Sequence, residues 1–484
     1  MTKFNISDLL TAAPEIVLFS LACVILIVDL FFSDKSRHIT GILVNIALII
    51  TVILILLIRS SEVRYAFSDM YIADPLSDIL KVLSCSFVLC TLIYSKIYVS
   101  LRTIYRGEFF SLTLFSVLGM MIMISANHFL ILYLGLELLS LSLYSLVALS
   151  RGSLGSSEAA VKYFILGALA SGLLLYGMSM LYGATGSLSI PGVAESLLGK
   201  TANMNIALFG LVFIVAGIAF KVGAVPFHMW VPDVYQGAPT AVTLLIATAP
   251  KFAAFAFMFR LLVEGMGEGR MMIEWRQMLL LLGVMSIGLG NLVAIAQTNI
   301  KRMLAYSTMA HMGFVLLGFS TGLTSGIAAS LFYVSTYVLA ALGAFGMILF
   351  LSRGGFESDE INDFKGLSRT SPWLAFTMLL IMFSMAGIPP TIGFWAKLSI
   401  LQGVVEIGMV GVAVFAVIMS LVGAFYYLRI IKLMFFDELG NNKVVNENNG
   451  PTLLLGLNGA AMLALGFLPG LLLAFFEGII KLSL

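Results

Sequence analysis

Residues 219–239 read AFKVGAVPFHMWVPDVYQGAP, and the reading of this stretch decides how the chain is built. Lys221 is the first charge after twenty uncharged residues, and Pro226 follows five positions later. Proline lacks an amide proton and its ring collides with the preceding turn, so it breaks or kinks the helix that carries Lys221. The surroundings are apolar: of 484 residues, 60% are hydrophobic and only 11% charged, and mean hydropathy is +1.05. A soluble domain is nearer a quarter charged. Apolar runs long enough to cross a bilayer recur from end to end, which predicts an all-helical, polytopic membrane protein. Backbone that leaves the helix at membrane depth survives only where protein or water satisfies it. A break beside a buried ammonium group is therefore a place for water to enter.

Working outward, the hydropathy pattern predicts fourteen spans, near 13–33, 38–58, 76–97, 109–126, 128–149, 157–182, 205–225, 239–262, 276–297, 301–321, 326–351, 372–401, 408–435 and 452–476. The first run has no small-residue cleavage pattern and reads as a helix that stays. Loops after odd-numbered spans carry fourteen Lys and Arg and the opposite loops eight, which places both termini on the outer face. With a net charge of +2, nothing suggests nucleic acid as a partner. Cys23, Cys85 and Cys90 sit inside apolar segments without metal or redox spacing. No phosphate-binding loop appears, and the 45 glycines are dispersed where helices approach closely. The chain is expected to hold no cofactor and no metal of its own.

Five lysines fall within the apolar spans: Lys81, Lys162, Lys221, Lys251 and Lys397; Glu137 joins them. A charge at the bilayer centre costs about 2.5–3.5 kcal/mol even on the lenient scale, so such groups pair, line water or work. Lys81, two turns into its helix, reads as snorkelling or as half of a structural pair. Lys162 follows Glu158 at i+4 spacing, which an ordinary helix pair also explains. Lys251, Lys221 and Glu137 lie too deep for either account, and Glu137 and Lys221 form a natural couple if their helices are neighbours. A second break occurs in SMAGIPPTIGFWAKLSI, where Pro389 and Pro390 precede Lys397. Two interrupted helices, each with a buried lysine, are the pattern of a transporter built from repeats. The breaks lie five spans apart, so a repeated unit would return inverted. Roughly 175 residues separate Lys221 from Lys397 and Glu137 from His311. The expected divisions are 1–100, 101–270, 271–435 and 436–484. A lysine suits proton relay because burial and a nearby carboxylate pull its proton affinity in opposite directions. His228 and His311 titrate near neutrality and could pass protons between such sites, although His228 reads equally well as a capping group.

These residues carry a resemblance. FKVGAVPFHMWVPDVYQGAPTAVTLLIATAPK, QTNIKRMLAYSTMAHMGF and AGIPPTIGFWAK are similar to the antiporter-like membrane subunits of respiratory complex I, the proton-pumping NADH–quinone oxidoreductase. The likeness runs over nearly the whole chain. The form PDVYQGAP, where sister subunits usually carry PDAH or PDAMEG, points to one branch of that family. The resemblance implies fourteen helices in two inverted five-helix repeats with helices 7 and 12 broken. It implies proton-transfer roles for Glu137, Lys162, Lys221, Lys251, His228, His311 and Lys397. NADH, FMN, iron–sulfur clusters and quinone would belong to other subunits. The partners implied are an antiporter-like sister, small membrane subunits and the bilayer, in a bacterial inner membrane. A cation/proton antiporter subunit of the multisubunit type, or a subunit of a related hydrogenase or plastoquinone-linked complex, shares these features. A stand-alone solute carrier would need a polar pocket beyond the charged axis.

Overall fold

The computed structural model describes residues 6–33, 36–59, 62–199, 202–352, 356–438 and 449–484. Lys3, Lys35, Lys200, Arg353 and Lys443, which entered the charge count, lie outside the described residues. The helices that frame the site are α1 (Ala13–Asp29), α2 (His38–Ile58), α3 (Pro75–Ser100), α4 (Gly107–Ile124), α5 (Phe129–Val147), α6 (Leu154–Thr185), α7 (Met204–Val222) and α8 (Trp230–Gly237). They continue with α9 (Thr240–Glu264), α10 (Gly269–Ile295), α11 (Ile300–Ser320), α12 (Thr324–Leu351), α13 (Pro372–Ala386), α14 (Ile392–Glu406) and α15 (Val410–Phe435). The last pair, α16 (Thr452–Phe467) and α17 (Pro469–Ser483), meets at 85°. A short hairpin pairs β1 (Arg64–Ala66) with β2 (Tyr71–Ala73).

Among the described residues, eleven helices are long and apolar enough to cross a membrane, or twelve if the bent pair counts as one span. The expected spans near 13–33 and 372–401 correspond to α1, 17 residues long, and to α13 and α14, 15 residues each. Local sequence sets the ends. Asp74, Ser153, Asn203 and Asn299 accept a backbone N–H at the starts of α3, α6, α7 and α11; these side chains replace the partners that the first turn of a helix lacks.

The centre of the bundle is α9, buried from Thr240 through Leu262 and packed by α3, α4, α7 and α12. A helix buried on every side is apolar nearly all round, and TAVTLLIATAPKFAAFAFM is so apart from its threonines and Lys251.

Local features recur along the chain at one fixed offset. An isolated bridge joins His128 to Ser189, and another joins Asn299 to Glu360. Around them Phe129 N donates to Leu188 O and Ile190 N to Asn127 O, while Ile300 N donates to Asp359 O and Ile361 N to Thr298 O. The α4–α5 and α10–α11 crossings match in the same register. A Cβ on Gly119 would stand 2.5 Å from Leu139 N and 2.9 Å from Gly135 O; one on Gly290 would stand 2.8 Å from Ala310 N and from Tyr306 O. Only glycine lets the backbones approach so closely.

Candidate functional site

At the first break, α7 ends at Val222 and Gly223 takes the left-handed conformation at φ 82°. Its N–H and that of Ala224 turn back to the carbonyl of Ala219, the usual closure of a helix at a left-handed glycine. The freed groups find partners further away. Trp230 Nε1 donates to Phe220 O at 2.9 Å, and Val225 N donates to Ser286 Oγ at 2.9 Å. Lys251 Nζ reaches Val222 O at 3.4 Å. The ammonium group that serves the broken end is thus Lys251 on α9, rather than Lys221 beside it. A helix C-terminus carries partial negative charge, so a cation is favoured there.

Lys221 points toward α5, where its Nζ donates to Ser140 Oγ at 3.0 Å. Glu137 lies one turn earlier on α5, and its Oε1 is buried without a hydrogen-bond partner among the described residues. Among the described residues no ion pair within 4.0 Å joins Glu137 to Lys221. Lys221 is hydrogen-bonded to Ser140, where the signs of the two charges led to the expectation of a couple with Glu137. Around Lys221, Ser140, Tyr144, Tyr163 and Trp230 line about 20 Å³ open to water centres, room for about one molecule. Tyr163 stacks on Trp230 with ring centroids 4.6 Å apart.

The second break repeats the first. α13 ends at Ala386, Gly387 sits at φ 84°, and the N–H groups of Gly387 and Ile388 return to Phe383 O. Lys397 Nζ donates to Ala386 O at 2.9 Å, the carbonyl that precedes the glycine, as Val222 O precedes Gly223. Pro226 and Pro390 each follow their glycine by three residues. His311 closes the far side of this site. Its Nδ1 bonds Tyr333 Oη at 2.8 Å and its Nε2 bonds Tyr427 Oη at 3.0 Å, while Tyr427 also bonds Ser307. His311, Tyr333, Tyr337, Ser384 and Lys397 line a second small cavity of about 10 Å³. The offset of the bridges matches His311 to Ser140, so the group facing each lysine is a hydroxyl at the first break and an imidazole at the second. The layout read from sequence had matched His311 to Glu137.

Lys162 is 42% exposed and bound to Glu158 and Asp233, each at 2.8 Å; Asp233 also binds Arg302 at 2.8 Å. It is a paired, half-exposed cation and not a buried one. His228, on the segment leading into α8, is buried with Nδ1 unpartnered. Lys81 pairs with Glu15 at 2.6 Å and with Tyr71 Oη at 2.8 Å.

Sequence reading missed two groups by counting them as loop cations. Lys301 is buried in the first turn of α11, 3.9 Å from Glu357. Glu357 also accepts from Tyr98 at 2.8 Å, from Arg102 at 2.7 Å and from Thr240. Burial pushes the Glu357 carboxyl up, but Lys301, the two hydroxyls and Arg102 outweigh it and hold it below the usual carboxylate range. Arg260 is wholly buried because α9 runs on past it through a π-helical turn, Phe259–Glu264. Arg260 had a signal in the sequence, since apolar residues flank it directly on both sides.

Two helices broken at glycine and proline, each with a lysine on the severed carbonyl, and a chain of hydroxyl and imidazole groups between helices define an antiporter-like membrane protein of helical bundle type. Residues 126–423 match the family described as NADH:quinone oxidoreductase/Mrp antiporter, TM. The NADH-quinone oxidoreductase subunit N of Nitrosomonas europaea is 54% identical over 99% of this chain and 100% of its own. That of Thiobacillus denitrificans is 56% identical over 96% of this chain and 95% of its own. A chain of respiratory complex I from Thermus thermophilus, solved with bound aureothin, superposes with TM-score 0.81 at 33% identity, covering 95% of this chain and 98% of that one. The chain belongs to the NADH-quinone oxidoreductase subunit N family.

Proposed function

We propose that this chain is a proton-translocating membrane subunit of a bacterial NADH–quinone oxidoreductase, working with sister and small membrane subunits. Quinone reduction elsewhere in the complex drives proton transfer through it. NADH, FMN, iron–sulfur clusters and quinone are handled by the partners, and this chain supplies the coupling. The fold reading that goes with this is fourteen helices, both termini outside, and two inverted five-helix units within 101–270 and 271–435. The matched bridges at 128/189 and 299/360 and the matched glycine crossings support that repeat.

The observation that carries the proposal is Lys221: an ammonium group at membrane depth whose described hydrogen bond is to one serine, one turn from an unpartnered carboxyl oxygen of Glu137. A charge so lightly held changes protonation when its neighbours move. In the mechanism Glu137 stabilises protonated Lys221, and a signal from the quinone site separates them. The proton then passes by Lys162, Lys251 and His228 and through water toward His311 and Lys397. Lys251 and Lys397 each donate to a carbonyl at a severed helix end, where the charged form is favoured, so the broken helices hold the proton at fixed points. The test is Lys221→Ala in membrane vesicles with the complex assembled, recording NADH–quinone turnover and proton uptake on one sample. Both are expected to fall together, at least about tenfold if the transfer is obligatory. Wild-type values for both would overturn the proposal.

A further inference from the structure

Arg260 lies nine residues beyond Lys251 on the same central helix, at the end where the π-helical turn Phe259–Glu264 closes α9. Its Nη2 donates to Asp74 Oδ1 at 2.7 Å, its Nε to Ile124 O at 3.4 Å, and its Nη1 to Glu264. Asp74 is itself buried and caps α3, where its Oδ1 accepts from Ser77 N at 2.9 Å. Its second oxygen, Oδ2, is buried and has no hydrogen-bond partner among the described residues. Two carboxylates on one guanidinium leave one negative charge over if both are ionised.

The other charged groups nearby do not offset it. Lys81, two turns along α3, is committed to Glu15 at 2.6 Å. Asp78 on α3 and Asp69 in the hairpin turn add further negative charge, and Arg59 and Arg64 act on Asp78. Tyr65 on β1 faces the cluster, and burial, then Glu264, hold its phenol above the usual range. A buried carboxylate without full pairing is strongly disfavoured, and one bound proton removes the surplus. Glu264 differs from Asp74 in having a way out. It lines a cleft of about 470 Å³ shared with Glu268, Gly322 and the chain's last residue, Leu484. π-helical turns inside α-helices occur often at functional sites.

We propose that Glu264 and Asp74, bridged by Arg260, share one exchangeable proton and form an exit where a proton that has crossed this subunit passes to water on the face carrying Leu484. The inference rests on the proton-translocating reading above, and it places an exit on the α9 side, apart from Lys397. In the step itself a protonated water reaching the cluster loses an O–H bond as an O–H bond forms on a Glu264 carboxylate oxygen. The new bond then breaks toward water in the cleft, returning the carboxylate to Arg260. No electron moves.

The test uses the assembled complex in detergent, with NADH–quinone turnover as the readout. Glu264→Gln keeps the shape and can still accept from Arg260, but it carries no exchangeable acid proton. Its turnover is expected to fall at least about fivefold, with Glu264→Asp close to wild type. Glu264→Ala is expected to be partly restored by added formate, a weak acid small enough for the cleft; a purely structural clamp would not respond in this way. Full turnover in an assembled Glu264→Gln complex overturns the exit. If these variants do not assemble, the unmodified complex is treated with dicyclohexylcarbodiimide, which adds to a protonated carboxyl. An adduct on Glu264 or Asp74 at neutral pH supports the site, and its absence from both overturns it. Lys221→Ala is run alongside. If it too keeps full turnover, the underlying reading has failed; if it is slow beside a full-rate Glu264→Gln, only the exit has.

Discussion

The sharpest test of the second site is Tyr427→Phe. Tyr427 is 2% exposed, and its hydroxyl bonds both His311 Nε2 and Ser307. Phenylalanine fills the same ring volume, so no cavity opens and the loss is confined to hydrogen bonds. Each buried partner left unsatisfied costs about 1–3 kcal/mol, so with two of them the native state should lose roughly 2–6 kcal/mol. The effect on rate is separate. His311 keeps only its bond to Tyr333, so one of the two links by which it passes a proton is cut. An added barrier of about 1.4 kcal/mol already lowers a rate tenfold, and proton uptake is expected to fall at least that far. Vesicles carrying the assembled complex would be followed by a pH-sensitive dye and by NADH oxidation together. Tyr426→Phe is the control: the neighbouring ring is equally buried and loses a bond to Asn291 at 3.0 Å, but it does not touch His311. Equal slowing in both variants, or full rate in Tyr427→Phe, would refute the reasoning.

Two further outcomes concern the frame. Gly119→Ala places a methyl 2.5 Å from the Leu139 nitrogen and should destabilise the α4–α5 crossing by about 1–3 kcal/mol. Gly172→Ala meets nothing within 4 Å and should be neutral or slightly stabilising; thermal denaturation of the purified complex compares the two. Glu357 ties α3, α9 and α11 together with a carboxyl held below its usual range. Because the native affinity for protons is the lower one, its contribution is present above the usual carboxylate range. It is lost as pH falls through the native value. The acid-sensitive part of stability between about pH 6 and pH 3 should therefore shrink in Glu357→Gln. An unchanged acid profile in that variant would count against the linkage.

What the sequence by itself determined follows from composition and local chemistry. Apolar runs, glycine followed by proline, and lysines in lipid-depth segments are legible because bilayer and backbone impose their costs on single residues. Those costs announced the membrane class, the two breaks and the axis of Lys221, Lys251 and Lys397. Which group each lysine serves depends on neighbours distant in the chain, and there the tertiary structure decided. Lys251 rather than Lys221 caps the broken α7, and Ser140 stands where an ion pair with Glu137 was expected. Lys162 turned out half-exposed and paired with both Glu158 and Asp233. Arg260 and Lys301 looked like loop cations because helix ends are the least certain feature of a hydropathy pattern. Their burial depends on the continuation of α9 past Arg260 and on the packing of α11 against Ala238 and Glu357. A side chain's cost of burial is written in the sequence; its partner is fixed only when the helices meet.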